Sequence, residues 1–125
     1  MIKQVLSDDI IKQYLPILTA CPLFNTLGIP ELTSYLHNAK VIVKNYKKND
    51  FIAISGDPME GIGVILEGSA LLTRENVLGQ RVIMANLEAS SIFGEALLFS
   101  KHPLWPATIK ALKPTKIMFI PLETF

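Results

Sequence analysis

Cysteine occurs once in the 125 residues, as Cys21, so the chain can form neither an internal disulfide nor a four-thiolate zinc or iron–sulfur site. Histidine occurs twice, as His37 and His102, with no His-x-His pair, which excludes the clustered ligands of a metal-dependent β-barrel enzyme. No phosphate loop, dinucleotide fingerprint or nucleophile elbow is present. Charge of one sign is also lacking: 12 Lys plus Arg stand against 11 Asp plus Glu, and a net charge of +1 gives no electrostatic footprint for nucleic acid. Half of the residues are hydrophobic and the mean hydropathy is +0.36, yet charged or turn-forming residues cut every apolar run. None reaches the roughly 18 residues needed to span a bilayer. Met1 to Asp9 has no basic start, apolar middle or small-residue cleavage site, so it is not a secretory signal. With a single cysteine, the expectation is a cytoplasmic protein that contacts no membrane, carries no metal or other cofactor, and is not an enzyme.

The length suits one domain, 1–125, able to bury a core without staples. Ser7-Asp8-Asp9 followed by Ile10, Ile11, Tyr14, Leu15 and Leu18 predicts a helix over about 7–15, limited by Pro16 and Pro22. Ile29-Pro30-Glu31 opens a second helix, with Leu32, Tyr35 and Leu36 on one face, ending near His37 or Asn38. From Ala39 the pattern changes to short β-branched runs. Strands are expected at Lys40–Tyr46, Phe51–Ile54, Gly63–Leu66, Ala70–Glu75, Arg81–Leu87, Trp105–Leu112 and Ile117–Ile120. Lys47-Lys48-Asn49-Asp50, Ser55-Gly56-Asp57-Pro58, Glu67-Gly68 and Asn76 to Gln80 supply the turns. The fold class is therefore mostly β, a sandwich or barrel. A helical part over about 1–38 packs at one end of a β-roll over about 39–121, and a short helix at about Glu95–Phe99 is inserted in it.

The densest functional signal is Ile92-Phe93-Gly94-Glu95-Ala96, followed by Trp105-Pro106-Ala107. A strand running through Phe-Gly-Glu into a helix sets a carboxylate and free backbone N–H groups where an anionic ligand with hydroxyls can dock. The segment resembles the phosphate-binding cassette of cyclic-nucleotide-binding domains. Together with Cys21-Pro22-Leu23-Phe24, Phe51-Ile52 before Gly56-Asp57, and Val64-Ile65-Leu66-Glu67-Gly68, it resembles the effector domain of Crp/Fnr-type bacterial transcription regulators. That resemblance implies a double-stranded β-helix, or jelly roll. It also implies a ligand site at Phe93, Gly94, Glu95, Ala96, Trp105, Pro106 and Ala107.

The family cassette closes with Arg-Ser-Ala or Arg-Thr-Ala, whose arginine pairs with the cyclic phosphate; here Trp105-Pro106-Ala107 stands in its place. Charge-assisted bonds of that kind are worth about 1.5–3 kcal/mol each, so losing two weakens nucleotide binding by roughly a hundredfold or more. cAMP is therefore not the expected ligand. Glu95 has two readings, a hydrogen-bond acceptor for a ligand or a favourable neighbour of the helix dipole. Trp105 has three: core filler, lining of a pocket for a small organic effector, or a plug that abolishes binding. Lys101, His102, Arg74, Arg81 and Lys110 are the other cations within reach, although a lysine cannot copy the planar guanidinium fork.

The resemblance implies a ligand-sensing regulatory domain for a small effector of unknown identity, homodimeric in the full-length regulator. DNA would be contacted only through a C-terminal domain absent from these residues, because no basic recognition helix lies between Met1 and Phe125. A ligand-free dimerisation or interaction domain of the same fold is the alternative.

Overall fold

The computed structural model describes residues 3–5, 8–20, 28, 31, 34, 36, 41–94 and 101–121. Nine strands and one helix are defined among them. The strands are β1 (Lys3–Val5), β2 (Ile42–Tyr46), β3 (Phe51–Ala53), β4 (Gly61–Glu67), β5 (Ser69–Glu75), β6 (Arg81–Glu88), β7 (Ile92–Phe93), β8 (Thr108–Ala111) and β9 (Thr115–Pro121); helix α1 (Asp8–Ala20) follows β1. They form two antiparallel sheets, one ordered β1-β2-β9-β4-β7 and the other β3-β8-β5-β6, in a jelly-roll-like sandwich.

The first sheet is covered on both faces, and its sequence shows why. Side chains alternate along a strand, so a strand buried on both sides must be apolar at consecutive positions. Ile62–Leu66 and Ile117–Ile120 are such runs, and all of these residues are buried. Val64, Leu66, Met118 and Ile120 pack with Tyr14 and Leu18 of α1 and with Leu36 and Val43. Ile65, Ile117 and Phe119 face the other way and meet Ala70, Leu87, Ile109 and Ala111 of the second sheet.

The chain switches sheets at two adjoining corners, Gly68 between β4 and β5 and Leu112–Pro114 between β8 and β9. Gly68 takes φ 97°, and a Cβ there would lie 2.6 Å from the Pro114 carbonyl oxygen. The buried Thr115 hydroxyl completes the corner beside the carbonyls of Ser69 (3.1 Å) and Lys113 (2.7 Å). Gly56 and Gly79, in two further turns, also have positive φ.

At β7 an aromatic ring replaces a missing side chain. Phe93 pairs with Gly63 in register, and a Cβ on Gly63 would fall inside the Phe93 ring. The ring lies over the glycine and continues between the sheets, 6.0 Å from the Phe119 ring edge-on and 5.7 Å from Trp105.

Three expectations differ from the structure. Helix α1 does not stop at residue 15 but continues through Pro16 to Ala20. Proline removes one backbone hydrogen bond, and burial of Leu18 beyond it, 1% exposed, offsets that loss. The N-terminal part is not purely helical, because Lys3–Val5 pairs with β2 through Lys44, Val43 and Ile42, a partner far away in sequence. The strand expected from Trp105 begins only at Thr108, since Trp105 is held by loop hydrogen bonds and Pro106 has no N–H to donate. Glu31, Ser34 and Leu36 are helical, as the second helix requires, while its other residues and the expected helix over Glu95–Phe99 lie outside the described residues.

The Phe93–Gly63 contact should appear as energetic coupling. Phe93→Ala is expected to cost about 3–5 kcal/mol in urea denaturation. Gly63→Ala should destabilise the parent by about 1–3 kcal/mol but have little effect in the Phe93→Ala background. Additive losses in the double variant would show that the ring and the glycine do not share the space.

Candidate functional site

The site is built where β7 ends. Gly94 takes φ 93°, and a Cβ there would come 2.9 Å from Met59 Cε and 3.2 Å from Trp105 Cζ3. Only glycine lets the backbone turn with the indole packed this closely against it. Trp105 itself is set by main-chain bonds. Its N–H donates to the Asp57 carbonyl (2.8 Å), its carbonyl accepts from Gly56 N–H (2.8 Å), and Met59 N–H donates to Pro103 (3.0 Å). The segment 103–105 is thus tied to the β3–β4 connection, which explains how a loop residue becomes 7% exposed.

Beside the indole lies an apolar cavity of about 250 Å³. Leu72, Met84, Leu87 and Ile109 of the second sheet form one wall; Ile92, Phe93, Gly94, Trp105, Pro106 and Ala107 form the other. Arg74 is the one charged side chain in the lining, and no hydroxyl or amide side chain is present there among the described residues. The volume falls at the small end for ligand pockets, which typically begin at about 300 Å³.

Five of the seven residues expected at the site, Phe93, Gly94, Trp105, Pro106 and Ala107, share this cavity. Glu95 and Ala96 lie outside the described residues. The Trp105 indole packs in the inter-sheet core and also lines the cavity. Among the alternative cations, Arg74 borders the cavity, whereas Lys101, His102 and Lys110 do not. Period-2 alternation along β5 sets Leu72 and Arg74 on the same face of the strand.

A polar cavity of about 420 Å³ adjoins the apolar one, sharing Arg74 and Pro106 with it and adding Ser55, Thr73, Glu75, Arg81 and Thr108. Among the described residues no three His, Cys, Asp or Glu side chains come together as a metal group would require.

A third cavity, about 220 Å³, lies on the far side of Trp105 and includes Lys44, Tyr46 and Glu60, which the sequence reading did not single out. Lys44 is 6% exposed; its Nζ lies 2.6 Å from Glu60 Oε2 and 5.2 Å from the centre of the Phe119 ring. A paired, ring-stacked ammonium is a tolerable buried charge. Burial, followed by the negative charges of Glu60 and Asp50, pushes the Tyr46 hydroxyl up to about 12.

This shift gives an alkaline signature. The folded value lies above the ordinary 10.0, so the stabilisation from neutral Tyr46 is complete below pH 10 and is lost as pH rises toward 12. Absorbance titration of tyrosinate should show its highest phase near 12, removed in Tyr46→Phe. The denaturation midpoint of the parent should fall more steeply than that of Tyr46→Phe between pH 10 and 12, and parallel slopes would contradict the assignment. Removing the wall between the two cavities is a separate test: Trp105→Ala should cost about 3–5 kcal/mol by denaturant titration.

Comparison with known proteins agrees with the geometry. The family model of the cyclic nucleotide-binding domain matches residues 43–125. The N-terminal domain of a transcriptional regulator from Streptomyces coelicolor A3(2) superposes with a TM-score of 0.74 at 27% identity, covering 87% of this chain and 74% of that one. The sensor domain of the transcriptional regulator DNR from Pseudomonas aeruginosa gives 0.76 at 21% identity, over 90% and 74% of the two chains. A protein from Ruegeria pomeroyi DSS-3, described as cyclic nucleotide binding, gives 0.80 at 20% identity over 92% of this chain; the present chain spans half of its length. No curated protein matches the sequence. Among the described residues no helix is long and apolar enough to cross a membrane. The family model covers most of the chain and the fold agrees with it: this chain belongs to the cyclic nucleotide-binding domain family, and its structural neighbours include the sensor domain of one transcriptional regulator and the N-terminal domain of another.

Proposed function

We propose that this chain is the ligand-sensing regulatory domain of a Crp/Fnr-type transcription regulator and that it responds to a small effector other than cAMP. One observation carries the reading. Where the family cassette has its phosphate-binding arginine, Trp105 borders an open apolar cavity next to Phe93-Gly94. An indole wall favours a compact organic molecule, and it cannot supply the charged, bidentate pairing that an arginine gives a cyclic phosphate.

The domain acts without chemistry. A ligand filling the cavity contacts both sheets at once, Leu72 and Met84 on one side and Phe93 and Trp105 on the other. It therefore stabilises whichever packing of the two walls fits it best. In a cytoplasmic homodimer with a C-terminal DNA-binding domain, that preference would reach the spacing of two DNA-reading heads. A second reading, a ligand-free interaction domain, is favoured by β6, an edge strand on which Ile83 is 65% and Met84 52% exposed.

Calorimetric and thermal-shift titrations against cyclic nucleotides and a panel of small organic compounds separate these readings, with the single tryptophan, Trp105, as an intrinsic fluorescent reporter. The expected result is a response of Trp105 emission and melting temperature to at least one organic compound and none to cAMP at about 100 μM. Tight cAMP binding would overturn the reading of Trp105, and silence toward every compound would favour the interaction domain.

A further inference from the structure

The apolar cavity opens beside a pair of arginines that have no assigned task. Arg74 lies near the end of β5 and lines both the apolar and the polar cavity. Arg81 opens β6 across the same hairpin, opposite Glu75 in register, and lines the polar cavity with it. Among the described residues neither guanidinium has a hydrogen-bond or ion-pair partner. With Glu75 counted, the polar cavity carries two positive charges against one negative. Its hydroxyls add donors: Thr108 Oγ1 accepts from Ser55 N–H at 3.1 Å, which leaves its own proton to donate.

The two cavities differ in chemistry and meet at Arg74 and Pro106. One is walled by hydrocarbon and aromatic rings; the other presents guanidinium and hydroxyl groups. A single molecule satisfies both only if it has an apolar body and an acid group at one end. Resting on the reading that the apolar cavity holds an effector, we propose that this effector is a compact organic anion, such as an aromatic or branched aliphatic carboxylate, whose acid group is held by Arg74 and Arg81.

The anion is thus received in the polar cavity beside Pro106, which Arg74, paired with Val82, and Arg81, paired with Glu75, border from the two faces of the β5–β6 hairpin. A planar guanidinium grips a carboxylate through two parallel N–H···O bonds, which gives direction as well as charge. A neutral molecule of the same shape fills the apolar cavity equally well but gains nothing from the hairpin. A free inorganic anion finds charge but no apolar burial. The β5–β6 hairpin closes through Asn76, whose N–H donates to Gln80 and whose side-chain oxygen accepts from Leu78 and Gln80 N–H, so both arginines stand at the base of a well-formed turn.

The test compares benzoate, naphthalene-2-carboxylate and octanoate with their primary amides and with inorganic phosphate, by calorimetry and Trp105 fluorescence, on the parent, Arg74→Gln and Arg81→Gln. Both arginines are exposed, so the variants are expected to melt with the parent, and circular dichroism checks this. At least one carboxylate should bind about ten- to a hundredfold more tightly than its amide, and each variant should remove most of that difference. Phosphate should compete weakly and leave Trp105 emission unaltered. If acid and amide bind equally and both move Trp105 emission, the effector cavity stands and the anion assignment falls. If no member of the series binds, both fall. Acid selectivity that survives both substitutions would place the acid group elsewhere and overturn the role of the two arginines.

Discussion

The structure depends on the wedge formed by Phe93. Its ring lies over Gly63 in the first sheet, meets Phe119 edge-on at 6.0 Å, and reaches Trp105 at 5.7 Å. A two-residue strand is ordinarily too short to hold a sheet edge; here its one large side chain ties the edge to the centre of the core. The next residue, Gly94, turns under the indole. The same side chain thus locks the fold and forms the floor of the cavity, so stability and any ligand response are carried by shared contacts. A ligand that moves Phe93 or Trp105 acts on the packing between the sheets.

The sheets divide the work. The first is buried on both faces, with apolar side chains at consecutive positions of β4 and β9, and serves as a rigid partition between the α1 side and the inter-sheet core. The second sheet faces solvent on its outer side and ends in β6, an exposed edge with a bulge between Leu72 and Thr73 in its pairing with β5. Bulges commonly re-aim side chains beside binding sites, and this one lies where Leu72, Arg74 and Met84 line the cavity. The cavity therefore lies between a sheet with one solvated face and the β7 end of a sheet buried on both faces.

Charge is used sparingly. Lys44 is buried between Glu60 and the Phe119 ring, close to Tyr46, whose hydroxyl is held neutral by burial and nearby carboxylates. On the other side of Trp105, Arg74 and Arg81 stand without partners among the described residues. The indole thus separates a buried ion pair from two exposed guanidinium groups. The net charge of +1 conceals this asymmetry, since the polar cavity alone sets Arg74 and Arg81 against Glu75.

Much of the fold was legible in the residues alone. β-Branched runs broken by Gly56, Gly68 and Asn76–Gln80 placed the strands of the roll, because turn chemistry and period-2 burial are local properties, whereas Phe93-Gly94 and Trp105-Pro106-Ala107 were pointed to by the resemblance to the phosphate-binding cassette. Period alone could not reveal β1, whose three residues become a strand only through β2, or the continuation of α1 past Pro16, which depends on where Leu18 is buried. Nor could it choose among the roles of Trp105 or select Arg74 from five candidate cations. Those outcomes depend on which distant side chains share a space: the β3–β4 connection that pins Trp105 and the hairpin that brings Arg74 to Pro106. Sequence determined most strands and turns because they follow from neighbouring residues, and its short motifs carried the family resemblance. Tertiary structure decided the shape and charge of the cavity, because both arise from contacts between segments far apart along the chain.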